Sequence, residues 1–239
     1  MGIFTCTEKV TLLDIGENFL LSNKGILRIL QEVANNASSQ VGHGVSDIES
    51  TGTTWVLLYW RLQVYDRVPY NGELSIKTWA SFSKKIYSNR CFEVYYEDKL
   101  IAKADSKWVY VDAKNHSILK LSDELIALYE NVENNVFETP FNDRIKLPDN
   151  LEKTLSYTIM KRDLDANHHA NNNVFLEIAT EVLPEDIIGT KFNNLSIIYK
   201  KELNYKDEVS CYYEFKDNKH IVYLYNDTTD TFSSAVIFE

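Results

Sequence analysis

The chain has little with which to cross-link itself, bind a metal or anchor itself in a bilayer. Its 239 residues include three cysteines, four prolines and eight glycines, and no apolar run reaches the roughly 18 residues of a membrane span. Cys6, Cys91 and Cys211 have no metal-ligand spacing and leave an odd thiol if two of them pair. We therefore expect no metal, no cofactor and no membrane span, and we interpret Cys91 and Cys211 as strand residues packed like small hydrophobic side chains.

Positive charge is also in deficit. The chain has 25 Lys and Arg residues against 35 Asp and Glu residues, which gives a net charge of −10 at pH 7. This balance disfavours nucleic acid and anionic membrane surfaces as partners. The first nine residues have neither the apolar segment of a secretory signal nor the Arg- and Ser-rich character of a transit peptide, so we expect a cytoplasmic protein.

The sequence contains a weak internal repeat, which is its best architectural clue. A helical pattern opens at Asn23–Leu30 and has a counterpart at Asn171–Ile178, and the segment Tyr70–Ile76 mirrors Tyr205–Cys211. Matching the two helix starts places Glu17, Phe19 and Leu21 opposite Asp165, Asn167 and His169. Matching the two turns places Arg67 opposite Glu202. The second half therefore keeps polar groups where the first half has two apolar residues and an arginine.

Alternating segments follow each helical pattern and predict long antiparallel strands. After the first helix they lie at 55–66, 73–82, 86–97 and 99–112, and after the second at 195–201, 208–215, 220–225 and 233–238. A short helix with Ser122 as its N-cap is expected at 122–129. The prediction is an α+β protein of two tandem hot-dog domains, each a long antiparallel sheet wrapped around a central helix. Their expected bounds are 1–135 and 155–239, joined by a linker at 136–154 that contains Pro140 and Pro148.

The segment 163–175 carries the residues with the most chemical potential, Asp-Leu-Asp-Ala-Asn-His-His-Ala-Asn-Asn-Asn-Val-Phe. Asp165, Asn167 and His169 are spaced two apart, and in an extended segment such side chains point to the same side. A carboxylate that orients an imidazole beside an amide can activate water and hold a developing oxyanion. The alternative is an Asn-rich turn that only caps a helix.

This segment resembles the signature of the plant and bacterial acyl-acyl carrier protein (acyl-ACP) thioesterases, Asp-Leu-Asp-x-Asn-x-His-x-Asn-Asn with an aromatic residue following. Downstream, Ile-Ile-Tyr-Lys-Lys-Glu-Leu at 197–203 resembles the family's second motif, in which a glutamate follows an aromatic and two basic residues. A cysteine commonly comes after that glutamate in plant members, whereas this chain has Leu203, so a mechanism with that cysteine as nucleophile does not carry over. Further similarity covers nearly the whole chain in the expected order, at 30–37, 55–57, 66–69 and 77–79. Plant relatives carry plastid-targeting extensions, so the start of this chain is typical of bacterial members.

The resemblance implies water-mediated hydrolysis of a fatty acyl-ACP thioester to free fatty acid and ACP, which ends fatty-acid elongation. Asp165, Asn167, His169 and Glu202 are the expected catalytic residues, which places the one active site in the second half and leaves acyl-chain binding to the first half. Asp165 would align His169, Asn167 would orient the thioester or the water, and either His169 or Glu202 would take the first proton. Unpaired N–H groups at the helix start near Asn171 would hold the oxyanion. Without the resemblance, Glu202 could simply pair with Lys200 or Lys201.

Three functions compete at this stage. The leading one is acyl-ACP hydrolysis, the second is acyl-CoA hydrolysis by the same chemistry, and the third is a hot-dog hydratase/dehydratase or a non-catalytic acyl-binding protein. The expected partner is acyl carrier protein, which presents the acyl chain on a phosphopantetheine arm, and a homodimer is also possible. Because acyl carrier protein is itself acidic, its docking would require a local basic patch. Candidates for that patch are Lys84-Lys85, Lys161-Arg162, Lys191 and Lys200-Lys201.

Overall fold

The computed structural model describes residues 2–187 and 189–239. The chain divides into two compact units, Met1–Pro140 and Phe141–Glu239. This division falls within the segment 136–154, where the sequence predicts a linker. A strand already begins at Lys153, however, so the end of that segment belongs to a sheet.

The N-terminal unit is a five-stranded antiparallel sheet with one long helix. The strand order is β1-β3-β4-β5-β2. The strands are β1 (Phe4–Lys9), β2 (Thr53–Val64), β3 (Glu73–Lys84), β4 (Tyr87–Tyr96) and β5 (Lys99–Asp112), and the helices are α1 (Asn23–Ser39), α2 (Ile48–Thr51) and α3 (Asp123–Tyr129). Ser122 caps α3 by accepting a hydrogen bond from the N–H of Leu125 at 3.1 Å, as predicted.

The C-terminal unit repeats this topology. Its elements are β6 (Lys153–Thr158), α4 (Asn172–Glu181), β7 (Asn194–Tyr199), β8 (Glu208–Lys216), β9 (Lys219–Asn226) and β10 (Thr231–Phe238). The strand order is β6-β8-β9-β10-β7, again antiparallel throughout, and it matches the first unit strand for strand. The prediction of two tandem hot-dog domains is therefore confirmed.

Each central helix buries one apolar face. Ser22 caps α1 by accepting from the N–H of Gly25 at 3.0 Å, and an amphipathic helix is stabilised mainly by burying its apolar face. A Cβ at Gly25 would lie 2.1 Å from the carbonyl oxygen of Asp14, so this close approach requires glycine. The buried residues of α1 are Gly25, Ile26, Leu27, Ile29, Leu30, Val33, Ala34, Ala37 and Ser38, and those of α4 are Val174, Phe175, Leu176, Ile178 and Ala179.

Matching hydrogen bonds in the loops before the two helices define how the repeats align. The N–H of Gly16 donates to the carbonyl of Leu20 at 2.9 Å, and that of Asp165 donates to the carbonyl of His169 at 2.8 Å. Ser22 and Asn171 are the corresponding helix caps. The predicted alignment of this loop is therefore wrong by one residue, because it matched the apolar patterns of the helices rather than their caps.

The predicted strands are present, and none of their ends shifts by more than two residues. Cys91 in β4 and Cys211 in β8 are buried strand residues, as expected. Sequence reasoning missed β1 and β6, the first strand of each unit. Among residues 2–187 and 189–239, no helix is long and apolar enough to cross a membrane.

Candidate active site

Two loops of the C-terminal unit bring an imidazole and a carboxylate together. His169 lies just before α4, and Glu202 lies between β7 and β8. A backbone bridge joins His169 to Asn204, and the N–H of Ala170 donates to the carbonyl of Leu203 at 2.8 Å. Across this short ladder, Nδ1 of His169 lies 3.4 Å from Oε2 of Glu202. The two residues expected to take the first proton therefore lie side by side.

The pair is open to solvent on one side. The His169 side chain is 23% exposed and that of Glu202 is 53% exposed. One alternative was that Glu202 simply pairs with a neighbouring lysine. The ammonium of Lys200 instead donates to the carbonyl of Asp143 at 2.8 Å. A water molecule can therefore reach an imidazole–carboxylate pair without any rearrangement of the two loops.

Asp165 builds the turn that presents His169. Its Oδ1 accepts hydrogen bonds from the main-chain N–H groups of Asn167 at 2.8 Å and His169 at 3.3 Å. His168 completes the turn with a left-handed backbone, at a φ of 63°. The expectation of an extended segment with alternating side chains is therefore wrong, because the carboxylate draws the following main chain back into a tight loop. These contacts assign Asp165 a role in positioning the main chain of His169.

Asn167 sits at the tip of this turn with an exposed side chain. Its main-chain N–H is bonded to Asp165. Within the described residues, no hydrogen bond engages its side-chain amide. The amide can therefore donate to a carbonyl oxygen of a bound substrate.

The start of α4 is less available to a ligand than the sequence suggests. The N–H of Asn171 donates to the carbonyl of Asp163 at 2.8 Å, and that of Val174 donates to the carbonyl of Asn171 at 2.9 Å. The N–H of Asn173 donates to the side-chain oxygen of Asn171 at 3.0 Å. The expectation that these N–H groups are unpaired is wrong, because Asn171 acts as an efficient cap.

Tyr199, the last residue of β7, supports the site from behind and was not singled out from the sequence. Its hydroxyl donates to the carbonyl of Asn172 at 3.1 Å, and its ring packs edge-on against Phe175 at 5.3 Å. Burial raises the pKa of this phenol, so it stays protonated and keeps donating. Tyr199 thereby ties the first turn of α4 to the strand that leads to Glu202.

The N-terminal unit lacks the reactive set at the corresponding positions. With the corrected alignment, Gly16, Asn18 and Leu20 correspond to Asp165, Asn167 and His169. Arg67 corresponds to Glu202, as predicted, and its Nη1 donates to the carbonyl of Leu21 at 3.2 Å. Burial lowers the pKa of this guanidinium. The unit therefore retains an amide but neither carboxylate nor the imidazole.

The basic residues proposed for a docking patch are all exposed, but they divide between the units. Lys84 and Lys85 belong to the N-terminal unit, and Lys161, Arg162, Lys191, Lys200 and Lys201 belong to the C-terminal unit. Lys161 and Arg162 lie in a short 3-10 helix, Lys161–Asp163, just before the turn that carries His169.

Known proteins resemble this chain in both sequence and structure. It is 23% identical over 214 residues to the chloroplastic oleoyl-acyl carrier protein thioesterase of Coriandrum sativum, which covers 82% of this chain and 58% of that protein. It is 24% identical over 206 residues to the chloroplastic palmitoyl-acyl carrier protein thioesterase of Cuphea hookeriana, which covers 79% and 49%. The chain thus spans between about half and three fifths of the length of these relatives.

Two solved structures share the whole fold. An acyl-ACP thioesterase from Bacteroides thetaiotaomicron superposes with a TM-score of 0.85 at 23% identity, covering 99% of this chain and 98% of that one. The 12:0-ACP thioesterase of Umbellularia californica also gives a TM-score of 0.85, at 16% identity and with 99% and 96% coverage. These likenesses establish the fold.

Family models account for most of the sequence. The acyl-ACP thioesterase N-terminal domain matches residues 3–129, and the acyl-ACP thioesterase C-terminal domain matches residues 148–236. The two matches fall on the two hot-dog units in the order that the fold requires. This chain belongs to the acyl-ACP thioesterase family.

Proposed function

We propose that the chain hydrolyses the thioester of fatty acyl-ACP to free fatty acid and ACP. The observation that carries this proposal is the 3.4 Å contact between His169 and Glu202, made beside an exposed amide in a chain of this family. Relatives that match along both units are named as acyl carrier protein thioesterases. An imidazole–carboxylate pair open to solvent is suited to activating water against a carbonyl carbon.

In the proposed reaction, a water oxygen attacks the carbonyl carbon of the thioester while the His169–Glu202 pair takes the water's proton. The amide of Asn167 donates to the carbonyl oxygen, which becomes an oxyanion as the tetrahedral intermediate forms. Collapse of the intermediate breaks the C–S bond. The pair then returns the proton to the departing thiolate, so a carboxylic acid and a free thiol are the only products. Because the two groups are in contact, they act as one proton acceptor.

We assign acyl-chain binding to the N-terminal unit. The unit has no imidazole or carboxylate at the positions of His169 and Glu202, so it cannot share the proton transfer. Its long helix packs apolar residues such as Ile26, Leu30 and Val33 into the core of the unit. An alkyl chain that enters this core gains free energy because its own apolar surface is removed from water, at roughly 25 cal/mol per Å².

The test is release of thiol and free acid from acyl-ACP and acyl-CoA substrates of several chain lengths. His169→Ala and Glu202→Ala should each lower kcat by about 10²- to 10⁴-fold, the usual contribution of a positioned acid or base. Glu181→Ala, which removes an exposed carboxylate from the far end of α4, is the matched control and should keep wild-type turnover.

The outcomes separate the competing functions. Faster hydrolysis of acyl-ACP than of acyl-CoA at equal concentration supports the proposal, and the reverse order makes the protein an acyl-CoA thioesterase. Addition or removal of water across a carbon–carbon double bond, without thiol release, would make it a hydratase. Wild-type turnover in both the His169 and the Glu202 variant would show that the site is misassigned.

A further inference from the structure

A group of cationic and large side chains lies on the two loops that carry His169 and Glu202, and we call it the cationic rim. It consists of Met160, Lys161, Arg162, Tyr205 and Lys206. The ammonium of Lys161 lies 6.0 Å from the centre of the Tyr205 ring, and that of Lys206 lies 5.4 Å from the same ring. Met160 and Tyr205 are each 43% exposed. The rim therefore combines an apolar centre with positive charge on both sides.

The rim is built on the same two loops as the reactive pair. The N–H of Lys206 donates to the carbonyl of Ile159 at 2.9 Å, and the N–H of Ile159 donates to the carbonyl of Asp207 at 3.0 Å. One loop continues from Arg162 to His169, and the other runs back from Tyr205 through Asn204 to Glu202. A partner bound at the rim is therefore held next to the site of hydrolysis.

The duplicated unit provides an internal comparison. The positions that correspond to the five rim residues are occupied there by Thr11, Leu12, Leu13, Tyr70 and Asn71. Leu12 is 69% exposed and Leu13 is 77% exposed. The exposed tyrosine is common to both units, whereas all three positive charges occur only in the unit that carries His169.

Acidic side chains on the same two loops moderate the charge of the rim: Asp163, Asp165, Glu202 and Asp207. The Nε of Arg162 lies 3.8 Å from Oδ1 of Asp163, but the arginine side chain remains 72% exposed. An exposed pair of this kind contributes little to stability, so it leaves the guanidinium free to exchange partners. Asp163 and Asp207 are buried, whereas the three cations of the rim are exposed, so the charge that the rim itself presents to solvent is positive.

We propose that the cationic rim is the surface on which the acyl carrier protein docks, with acidic side chains of the carrier against Lys161, Arg162 and Lys206. This inference rests on the proposed function and specifies the partner's binding surface. Opposite charges across an interface mainly accelerate encounter and fix orientation, while a partly apolar centre supplies contact area. An arm that carries the thioester then enters the site from the rim side.

The test compares two sets of three charge removals within the C-terminal unit. The rim variant is Lys161→Gln/Arg162→Gln/Lys206→Gln. The control variant is Lys153→Gln/Lys216→Gln/Lys219→Gln, which removes the same charge from the opposite ends of β6 and β8 and the start of β9. Each protein is assayed with acyl-ACP and with the acyl thioester of free pantetheine, which has neither the acidic carrier nor the phosphates of coenzyme A.

The rim variant should lose about tenfold in kcat/KM for acyl-ACP, mostly through KM, since screened surface charges act on association. Its kcat/KM for acyl-pantetheine should change by less than about twofold, because docking is absent from that reaction. Raising the ionic strength should lower the wild-type kcat/KM for acyl-ACP more steeply than that of the rim variant. The control variant should follow the wild type with both substrates.

Unchanged kcat/KM of the rim variant for acyl-ACP would overturn the docking surface and leave the proposed function intact. Equal losses with both substrates would also overturn it, because the rim would then act within the catalytic site or on the fold. Binding of the carrier protein without an acyl group, followed by fluorescence anisotropy, gives a readout that does not depend on hydrolysis. If the wild type binds this carrier at the rim but releases no thiol, the proposed function fails and the docking surface stands.

Discussion

Asp14 and Asp163 occupy corresponding positions in the two units, and each accepts a hydrogen bond from the main-chain N–H three residues before it. The distances to Oδ2 are 2.8 Å from Thr11 and 2.7 Å from Met160. The two carboxylates differ in their other partners. Asp14 also accepts from Nε of Arg28 at 2.6 Å, whereas Asp163 accepts from the hydroxyl of Tyr157 at 3.0 Å. The same turn is thus stabilised twice, once with the help of a guanidinium.

Asp14→Asn should lower the free energy of unfolding by about 2 kcal/mol near neutral pH, as expected for a charged hydrogen bond. Burial by itself raises the pKa of Asp14, but the hydrogen bonds from Arg28 and Thr11 outweigh it, so the pKa lies below 3.8. Because the folded-state pKa is depressed, this stabilisation is fully present above about pH 4 and is lost as the pH falls further. Urea unfolding of the wild type and the variant at a series of pH values measures the difference.

Asp149→Asn, which makes the same replacement at an exposed aspartate, is the control for the substitution itself. A gap between wild type and Asp14→Asn that stays constant down to pH 3 would contradict the assignment.

Asp165→Asn and Asp165→Ala should differ in activity, because the turn needs an acceptor at this position rather than a charge. Asparagine keeps an oxygen for the N–H groups of Asn167 and His169, and we expect kcat/KM within about threefold of wild type. Alanine removes the acceptor and lets His169 shift, which should cost on the order of 10²-fold. Steady-state kinetics with acyl-ACP measure both. An equally large loss in both variants would indicate that the negative charge itself takes part in the reaction.

His168→Gly should retain activity, whereas His168→Val should not. The backbone of His168 has a φ of 63°, a region that glycine adopts freely and that β-branched residues strongly avoid. Forcing valine into this conformation should cost about 1–2 kcal/mol, and relaxation of the turn would move the adjacent His169. Comparing kcat for the two variants tests the backbone requirement, since neither replacement keeps the exposed imidazole. Equal kcat values would show that the left-handed residue is unimportant.

Arg90→Met should raise the free energy of unfolding by about 1 kcal/mol, because a buried charge without an acidic partner is costly. Arg90 of β4 is 6% exposed, and its Nη1 donates to the hydroxyl of Thr78 at 3.3 Å. Its guanidinium lies 5.7 Å from the centre of the Tyr129 ring, and no carboxylate pairs with it in the part of the chain that the structure describes. Burial accordingly lowers the pKa of Arg90.

Arg90→Ala is the companion variant and should instead lower stability by about 2 kcal/mol, because it leaves a cavity. Chemical unfolding of both variants separates the cost of the charge from the value of the packing. A loss of stability in Arg90→Met comparable to that in Arg90→Ala would mean that the guanidinium is well compensated.

The fold was largely accessible from the sequence because alternating strands and an amphipathic helix recur in the same order. The strand β5 was predicted at its observed bounds, Lys99–Asp112. The first strand of each unit was not predicted because it is only six residues long and only half-buried. Its residues therefore do not alternate clearly between apolar and polar. The domain bounds, the homodimer and the division of labour between the units stay predictions.

The residues of the site could be predicted from the sequence, but their local geometry could not. Glu202 and His169 lie in contact because a backbone bridge between His169 and Asn204 pairs the two loops that carry them. The predicted alignment of the repeats was wrong by one residue because an apolar pattern can be matched equally well one residue away. The cap positions, Ser22 and Asn171, fix the alignment because each side chain accepts a hydrogen bond from a particular N–H group. The turn at Asp165 was mistaken for an extended segment because the two-residue spacing was given more weight than the tendency of an aspartate to bond the main chain that follows it.

The duplicated topology has a consequence for stoichiometry. An oligomer built from single-copy subunits has as many identical sites as it has polypeptides, and all of these sites bind a ligand in the same way. Here the two copies are fused, and Leu20 and Arg67 occupy the positions in the first unit that correspond to His169 and Glu202. A tight-binding inhibitor directed at the His169–Glu202 pair should therefore titrate to one equivalent per polypeptide.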